Sequence, residues 1–344
     1  MNKKILMALA LVCTMTACNS DDDQQPEASV APGVEVCIVF APNELGDQGY
    51  ADRVLTGMHQ FDMQLSEDDF DRVHLRYIAV GDTDAVKNEL LRWDQQGISP
   101  YNGRAYERRL MVMTDASLLP YLADTPLGDT DEVLVMNVAN QQFDQMPEAR
   151  RLGSRLHLLS ISAAEAARKL CRHIDYETSH PEDTRLQRPK IVSLFQIHNP
   201  SGVLADSIAE VIANYRFDDD GVKVTDMDTE GLVKAGNNAY TQAYWLGCTM
   251  AESRVFGYAV CSLNTYNTAI LAAFHIKGMG TCEPTFLDTE IGNSASRYPT
   301  IIRHYDRALC QWLQRWLSVP VGAMPEREWH GTWDGFTTDN ISEE

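Results

Sequence analysis

Apolar positions in this chain fall into short unbroken runs separated by stretches of helical spacing. Residues 34–40 are almost wholly apolar and rich in Val and Ile, as expected of a strand buried on both faces. A polar loop at 41–49 follows, holding Pro42, Asn43, Gly46, Asp47 and Gly49. Tyr50, Val54, Leu55, Met58 and Phe61 then recur at the helical period. The same unit returns down the chain. Strands are predicted at 73–80, 110–114, 132–138 and 156–161, with helical spacing at Val86, Leu90 and Trp93. Ser162-Ala163-Ala164-Glu165 has the form of a capping box and predicts a helix running to His173.

Residues 175–189 are polar and contain Pro181 and Pro189, which marks a connection, and the pattern then starts again. Strands are predicted at 190–195, 222–227, 255–260 and 285–287. Helices are predicted at 201–215, opened by Pro200, and at 240–250, 268–277 and 299–317. Strands alternating with helices in this way predict an α/β protein with doubly wound parallel sheets. Two such sets in tandem predict two lobes with a ligand cleft between them. The expected division is 34–160 for the first lobe and 161–344 for the crossover and second lobe, with C-terminal segments free to return to the first. No repeat of solenoid length is evident.

At 344 residues, the chain suits two lobes of about 150 residues each. Its 44% hydrophobic and 23% charged residues describe an ordinary globular protein. A formal net charge of −20 argues against nucleic acid as a partner.

Residues 1–17 read as an export signal, with Lys3 and Lys4 ahead of an apolar run. Thr16-Ala17-Cys18 resembles a bacterial lipobox, so Cys18 is the expected lipidation site, and 18–33 reads as a flexible tether. The run Ser20-Asp21-Asp22-Asp23 resembles the surface-export tag of Bacteroidetes lipoproteins; a solvated acidic linker would look the same. The expected address is the cell envelope, anchored to the outer membrane and facing either the surface or the periplasm.

Parallel sheets bind ligands beyond the carboxyl ends of their strands, beside helix N-termini. The strand ends nominate Asn43, Asp47, Tyr50, Asp115, Ser117, Gln196, His198, Ser262, Asn264, Asn267 and Asp288.

Leu45-Gly46-Asp47-Gln48-Gly49-Tyr50, directly after the first strand, resembles a family pattern of Gly, Asp, a small residue and an aromatic opening the first helix. That pattern belongs to the basic-membrane-protein family of substrate-binding lipoproteins, whose known members bind purine nucleosides. The resemblance implies a type I periplasmic-binding-protein-like fold and a nucleoside or related purine compound as ligand. It also implies a membrane transporter or an outer-membrane receptor as partner. In the family, aromatic rings clamp the base while Asp, Asn and Lys bond base and ribose. Asp47 and Tyr50 carry over within the motif; Asp115 and Asp288 carry over from the ends of matching strands. Each has a structural alternative: capping or loop bracing for the carboxylates, and interlobe packing for Tyr50. Where the family has a glycine-rich loop, this chain has Cys261-Ser262-Leu263-Asn264-Thr265, which bears on the ligand more than on the fold. A surface lipoprotein binding a glycan or partner protein on the same fold is the alternative.

No G-x-S-x-G, Walker loop or H-E-x-x-H occurs, so a non-enzymatic role without metal or redox cofactor is expected. Asp226–Gly231 reads as an acidic loop rather than a calcium loop, since Asn237 stands where the closing Glu belongs. Cys37 reads as a buried hydrophobe, and Cys248, Cys261 and Cys282 as disulfide candidates. Trp312, Trp316, Trp329, Trp333 and Phe336 are expected to close the C-terminal lobe.

Overall fold

A computed structural model describes residues 33–42, 45–46, 49–101, 103–115, 118–137, 147–161, 164–180, 188–196, 203–227, 229, 231–232, 235, 238–263, 266–278, 280–287 and 298–329. They belong to one compact unit, Pro32–Glu344.

The first lobe opens with β1 (Val34–Val39), α1 (Tyr50–Met63), β2 (Val73–Ile78), α2 (Thr83–Leu90), β3 (Arg108–Met113), β4 (Asp131–Met136) and β5 (Leu156–Ser160). The chain then crosses into α3 (Ala164–Ser179), β6 (Ile191–Gln196), α4 (Val203–Asn214), β7 (Lys223–Met227), α5 (Ala239–Glu252), β8 (Tyr258–Ser262), α6 (Tyr266–Lys277), β9 (Glu283–Leu287) and β10 (Thr300–Ile301). It returns to the first lobe with α7 (Tyr305–Ser318) and β11 (Arg327–Trp329). The first sheet is six-stranded in the order β11-β5-β4-β3-β1-β2, and the second is five-stranded in the order β10-β9-β8-β6-β7. Every pairing in both sheets is parallel.

The unbroken apolar run of β1 has a direct cause: both faces of the first sheet are covered. Val34, Val36 and Ile38 pack with Val54, Met58 and Phe61 of α1 and with Leu309, Trp312, Leu313 and Trp316 of α7. Cys37 and Val39 point the other way, against Val86, Leu90, Trp93 and Leu122. Helices α1 and α7 touch at Gly57, where an added Cβ would lie 2.5 Å from the Asp306 carbonyl oxygen. No helix among the described residues is long and apolar enough to cross a membrane.

Several sequence expectations are corrected. Strand β3 begins at Arg108, two residues before the predicted start at 110. Both arginines are buried because each has a carboxylate and an indole waiting for it. Arg109 Nε donates to Glu35 Oε2 at 2.7 Å, and its guanidinium lies 4.0 Å from the centroid of Trp93. Arg108 Nε donates to Glu132 Oε2 at 2.6 Å and stacks 4.1 Å over Trp316. Charge complementarity and cation–π contact therefore override the hydropathy pattern.

Trp312 and Trp316 do not close the second lobe. They are buried in the core of the first, and β11, which carries Trp329, pairs with β5 there. The predicted helix at 299–317 starts instead at Tyr305, after the short strand β10. Trp333 and Phe336 lie outside the described residues. Cys248, Cys261 and Cys282 form no disulfide: all three are free and buried, as is Cys37. Burial pushes the thiols of Cys37 and Cys282 up to about 12, so they behave as small hydrophobes.

Candidate functional site

Both crossings leave from carboxyl ends of strands. One follows β5, running from Ile161 to Ala164; the other follows β10, running from Ile301 to Tyr305. Four residues of chain span at most about 14 Å, so the carboxyl ends of the two sheets are held near one another. The crossings are also tied together, since Ile161 N donates to Tyr305 Oη at 3.0 Å. The carboxyl-end edges of both sheets therefore meet where the chain passes between the lobes.

At this edge of the first lobe a polar and aromatic cluster is built from distant segments. Tyr50 opens α1, and its hydroxyl donates to the carbonyl oxygen of Thr114, just past β3, at 2.9 Å. Its ring meets Tyr305 edge to face at a centroid distance of 4.8 Å. Arg303, buried within the second crossing, lies 5.8 Å from the Tyr50 centroid and 5.3 Å from that of Tyr305. Its Nη1 donates to Asn137 Oδ1 at 2.7 Å, and Tyr305 Oη reaches the same oxygen at 3.3 Å. Asn137 directly follows β4 and holds φ +57°, a left-handed conformation that Asn tolerates better than most residues. This geometry sets an amide, a guanidinium and two phenol rings around one point, the donor and acceptor types that bind vicinal hydroxyls or a heterocycle edge.

Of the residues nominated from sequence, Tyr50 stands in this cluster. Asp115 follows β3 and is half-buried, its carbonyl accepting from Leu118 N at 3.1 Å. Ser262 ends β8, half-buried, at the corresponding edge of the second lobe, and Gln196 ends β6. Asn267 is a brace: fully buried, it accepts from Leu263 N at 3.1 Å and donates to the Leu287 carbonyl at 3.0 Å, joining the ends of β8 and β9. Asn43, Asp47, Ser117, His198, Asn264, Asp288 and the lipidation candidate Cys18 lie outside the described residues.

Sequence reasoning missed Asn137, Arg303 and Tyr305. The predicted fourth strand runs to residue 138, two residues beyond its observed end at Met136, and so takes in Asn137. Arg303 and Tyr305 were absorbed into the predicted helix at 299–317.

A second polar cluster sits at the opposite, amino-terminal end of the second sheet. His173, Glu177 and Glu283 bring donor atoms within 4.8 Å of one another, a grouping that could hold a metal ion. Arg188 already serves this charge: Nη1 lies 2.8 Å from Glu177 Oε2 and Nη2 lies 2.8 Å from Glu283 Oε2. Tyr258 Oη donates to Glu177 Oε2 at 3.0 Å, and His173 Nε2 lies 2.8 Å from Glu283 Oε1. Burial favours the neutral form of Glu283, but the contacts from His173 and Arg188 outweigh it and hold the carboxyl below its usual range. The arrangement is a strut from α3 to the starts of β8 and β9.

No protein-family model matches the sequence, and no curated protein matches it. Solved structures do. One similar structure is an ABC transporter solute-binding protein from Aeropyrum pernix K1, 11% identical with TM-score 0.58, covering 83% of this chain and 71% of that one. A periplasmic component of an ABC-type sugar transport system from Hahella chejuensis is 13% identical with TM-score 0.56, covering 86% and 98%. An ABC sugar transporter subunit from Rhodobacter sphaeroides 2.4.1 is 9% identical with TM-score 0.52, covering 86% and 95%. At these identities the likeness is one of fold: the chain has the two-lobed, parallel-sheet architecture of type I periplasmic-binding-protein-like structures.

Proposed function

We propose that this protein is a solute-binding lipoprotein, anchored through Cys18, that captures a small polar ligand between its lobes. The ligand class put forward first is a nucleoside or related purine compound, in line with the Gly46–Tyr50 motif. A sugar is the second class, favoured by the sugar-transport components among the similar structures. The observation that carries the proposal is the cluster of Tyr50, Asn137, Arg303 and Tyr305 at the point where the carboxyl ends of both sheets meet.

Physically, a pentose offers adjacent hydroxyls, and the Asn137 amide N–H groups can donate to them while its Oδ1 is held by Arg303 Nη1 and Tyr305 Oη. Tyr50 is committed to Thr114 through its hydroxyl and to Tyr305 through its ring, so its part is to hold the cluster in place rather than to swing onto a base. The paired crossings serve as the hinge, and closure would remove water from these bonds and so strengthen them. On this reading the anchored protein faces either the periplasm or the cell surface, and hands its ligand to a membrane transporter or an outer-membrane receptor.

A thermal-shift screen against nucleosides, bases and sugars tests the proposal. A ligand at about 100 times its dissociation constant stabilises by roughly 2.7 kcal/mol, which gives a clear rise in Tm. The expected result is a rise with one of these classes that Asp47→Ala and Asn137→Ala each reduce. No rise with any of them at millimolar concentration would overturn solute capture and leave binding of a glycan or partner protein.

A further inference from the structure

Strand β2 ends the first sheet on one side, and its outer edge has unused backbone groups. The Ile78 carbonyl accepts from Phe40 N at 2.9 Å and the Arg72 carbonyl from Val34 N at 2.9 Å, so the even-numbered residues turn their peptide groups toward β1. By the two-residue period of a strand, the N–H and C=O groups of Leu75 and Tyr77 point away from the sheet. Among the described residues no backbone partner meets them. Edge strands are normally blunted by proline, charge, a bulge or a cover. Here the edge instead borders a groove of about 540 Å³, within the range of ligand-binding cavities.

The far wall of the groove is formed by Gln96, Ile98, Pro100, Tyr101 and Tyr106. Tyr101, 81% exposed, lies 4.5 Å from the His74 ring centroid, and Ile98 beside it is 59% exposed. An apolar side chain laid here would cover both.

The charges of the groove have a sign. Glu35 at its base is neutralised, since its two carboxylate oxygens accept from Arg76 Nε and Arg109 Nε, each at 2.7 Å. Glu89, on one lip, accepts from the Gln96 amide at 3.1 Å and shares the field of Arg76 with Glu35, so two carboxylates line the groove against one guanidinium. Asp62 adds a second negative charge beside Tyr77, on the other face of the strand. With a net charge of −20 on the chain, a second copy is a poor occupant and a basic segment a good one.

We propose that the free edge of β2 is a docking site for an extended, basic peptide segment of a partner protein, added beside β2 as the next strand. Main-chain bonds would run to Leu75 and Tyr77, a Lys or Arg would meet Glu89, and an apolar side chain would cover Tyr101 and Ile98. This site lies apart from the interlobe cleft and does not depend on ligand capture there.

The probe is a blocked synthetic heptapeptide alternating Lys with Val and Tyr, titrated into the purified protein, with amide hydrogen exchange as a second readout. Binding is expected to slow exchange at Leu75 and Tyr77. N-methylation of alternate peptide amides is expected to weaken it at least tenfold. Tyr77→Pro removes an outward N–H, which an edge strand tolerates, and is expected to bind at least tenfold more weakly than Tyr77→Ala, which keeps that N–H. Glu89→Gln is expected to weaken binding several-fold. The proposal is overturned if there is no binding at millimolar peptide, if an all-Glu counterpart binds equally well, or if N-methylation has no effect. It is also overturned if the free edge is filled by a second copy of the chain, seen as dimerisation that Tyr77→Pro abolishes. The hydrogen-exchange and N-methyl arms use wild-type protein, so they decide the matter even if Tyr77→Pro fails to fold.

Discussion

Glu132→Gln should unmask an acid-sensitive contribution to the stability of the first lobe. Glu132 is fully buried near the amino-terminal end of β4. Its Oε2 accepts from Arg108 Nε at 2.6 Å and from Trp316 Nε1 at 2.7 Å. Its Oε1 accepts from Gly322 N at 3.0 Å and faces His157 Nε2 at 3.3 Å. Burial alone would favour the protonated form, yet the hydrogen bonds from His157, Arg108 and Gly322 prevail and pull the carboxyl from 4.5 to about 2. A carboxylate depressed in the folded state contributes stability above its unfolded pKa and loses it as pH falls through the folded one. The gap corresponds to about 3 kcal/mol near pH 7, of which roughly 1.4 remains near pH 3. The variant lacks this charge at every pH and leaves Arg108 buried without a carboxylate, a loss of about 3–5 kcal/mol. Urea unfolding followed by tryptophan fluorescence would measure both proteins at the two pH values. The expected result is an unchanged m-value and a stability gap of at least about 3 kcal/mol near pH 7 that narrows by about 2 near pH 3. A gap that does not change with pH, or one below about 1 kcal/mol near pH 7, would refute the reasoning.

Further tests follow from the packing and from the second-lobe strut. Gly57→Ala gains about 1 kcal/mol in helix propensity, but its Cβ would lie 2.5 Å from the Asp306 carbonyl oxygen, and overpacking of this kind costs about 1–3 kcal/mol. Calorimetry should show a net fall in Tm, and a rise would contradict the close approach of α1 and α7. The thiols of Cys37, Cys171, Cys248, Cys261, Cys282 and Cys310 should all resist a maleimide in the native protein and react on denaturation, as peptide mapping would reveal. Rapid native labelling at any of them would contradict its burial. Arg188→Met should destabilise by about 3 kcal/mol and allow zinc to raise Tm at the His173–Glu177–Glu283 cluster, whereas zinc should leave the wild type unchanged. Burial opposes protonation of His173, but its bond to Glu283 prevails and raises its pKa above 6.5. Its contribution is therefore full below about pH 6.5 and is lost as pH rises through the folded value, a slope that His173→Gln should abolish in urea titrations.

Much of the fold was legible because its strands are covered on both sides. Apolar runs such as 36–40 and 133–136 stand out from helical spacing and point to the parallel, doubly wound class and the two lobes. Two kinds of element escaped. Strand β10 is two residues long, and no periodicity exists at that length. The start of β3 carries Arg108 and Arg109, whose burial depends on Glu132 and Glu35 from neighbouring strands. The candidate site divides in the same way: Tyr50 belongs to a local motif, whereas Asn137 and Arg303 meet only because the chain crosses back into the first lobe.

By itself the sequence determined the alternation of the longer strands and helices, their parallel arrangement, and the edge of each sheet where polar loops gather. These follow from local period and composition, which are properties of neighbours along the chain. Only the tertiary structure decided that Trp312 and Trp316 belong to the first lobe, that the cysteines stay apart, and that Asn137, Arg303 and Tyr305 converge. Those outcomes rest on contacts across more than a hundred residues, where complementary charge, shape and hydrogen bonding choose partners that hydropathy cannot distinguish.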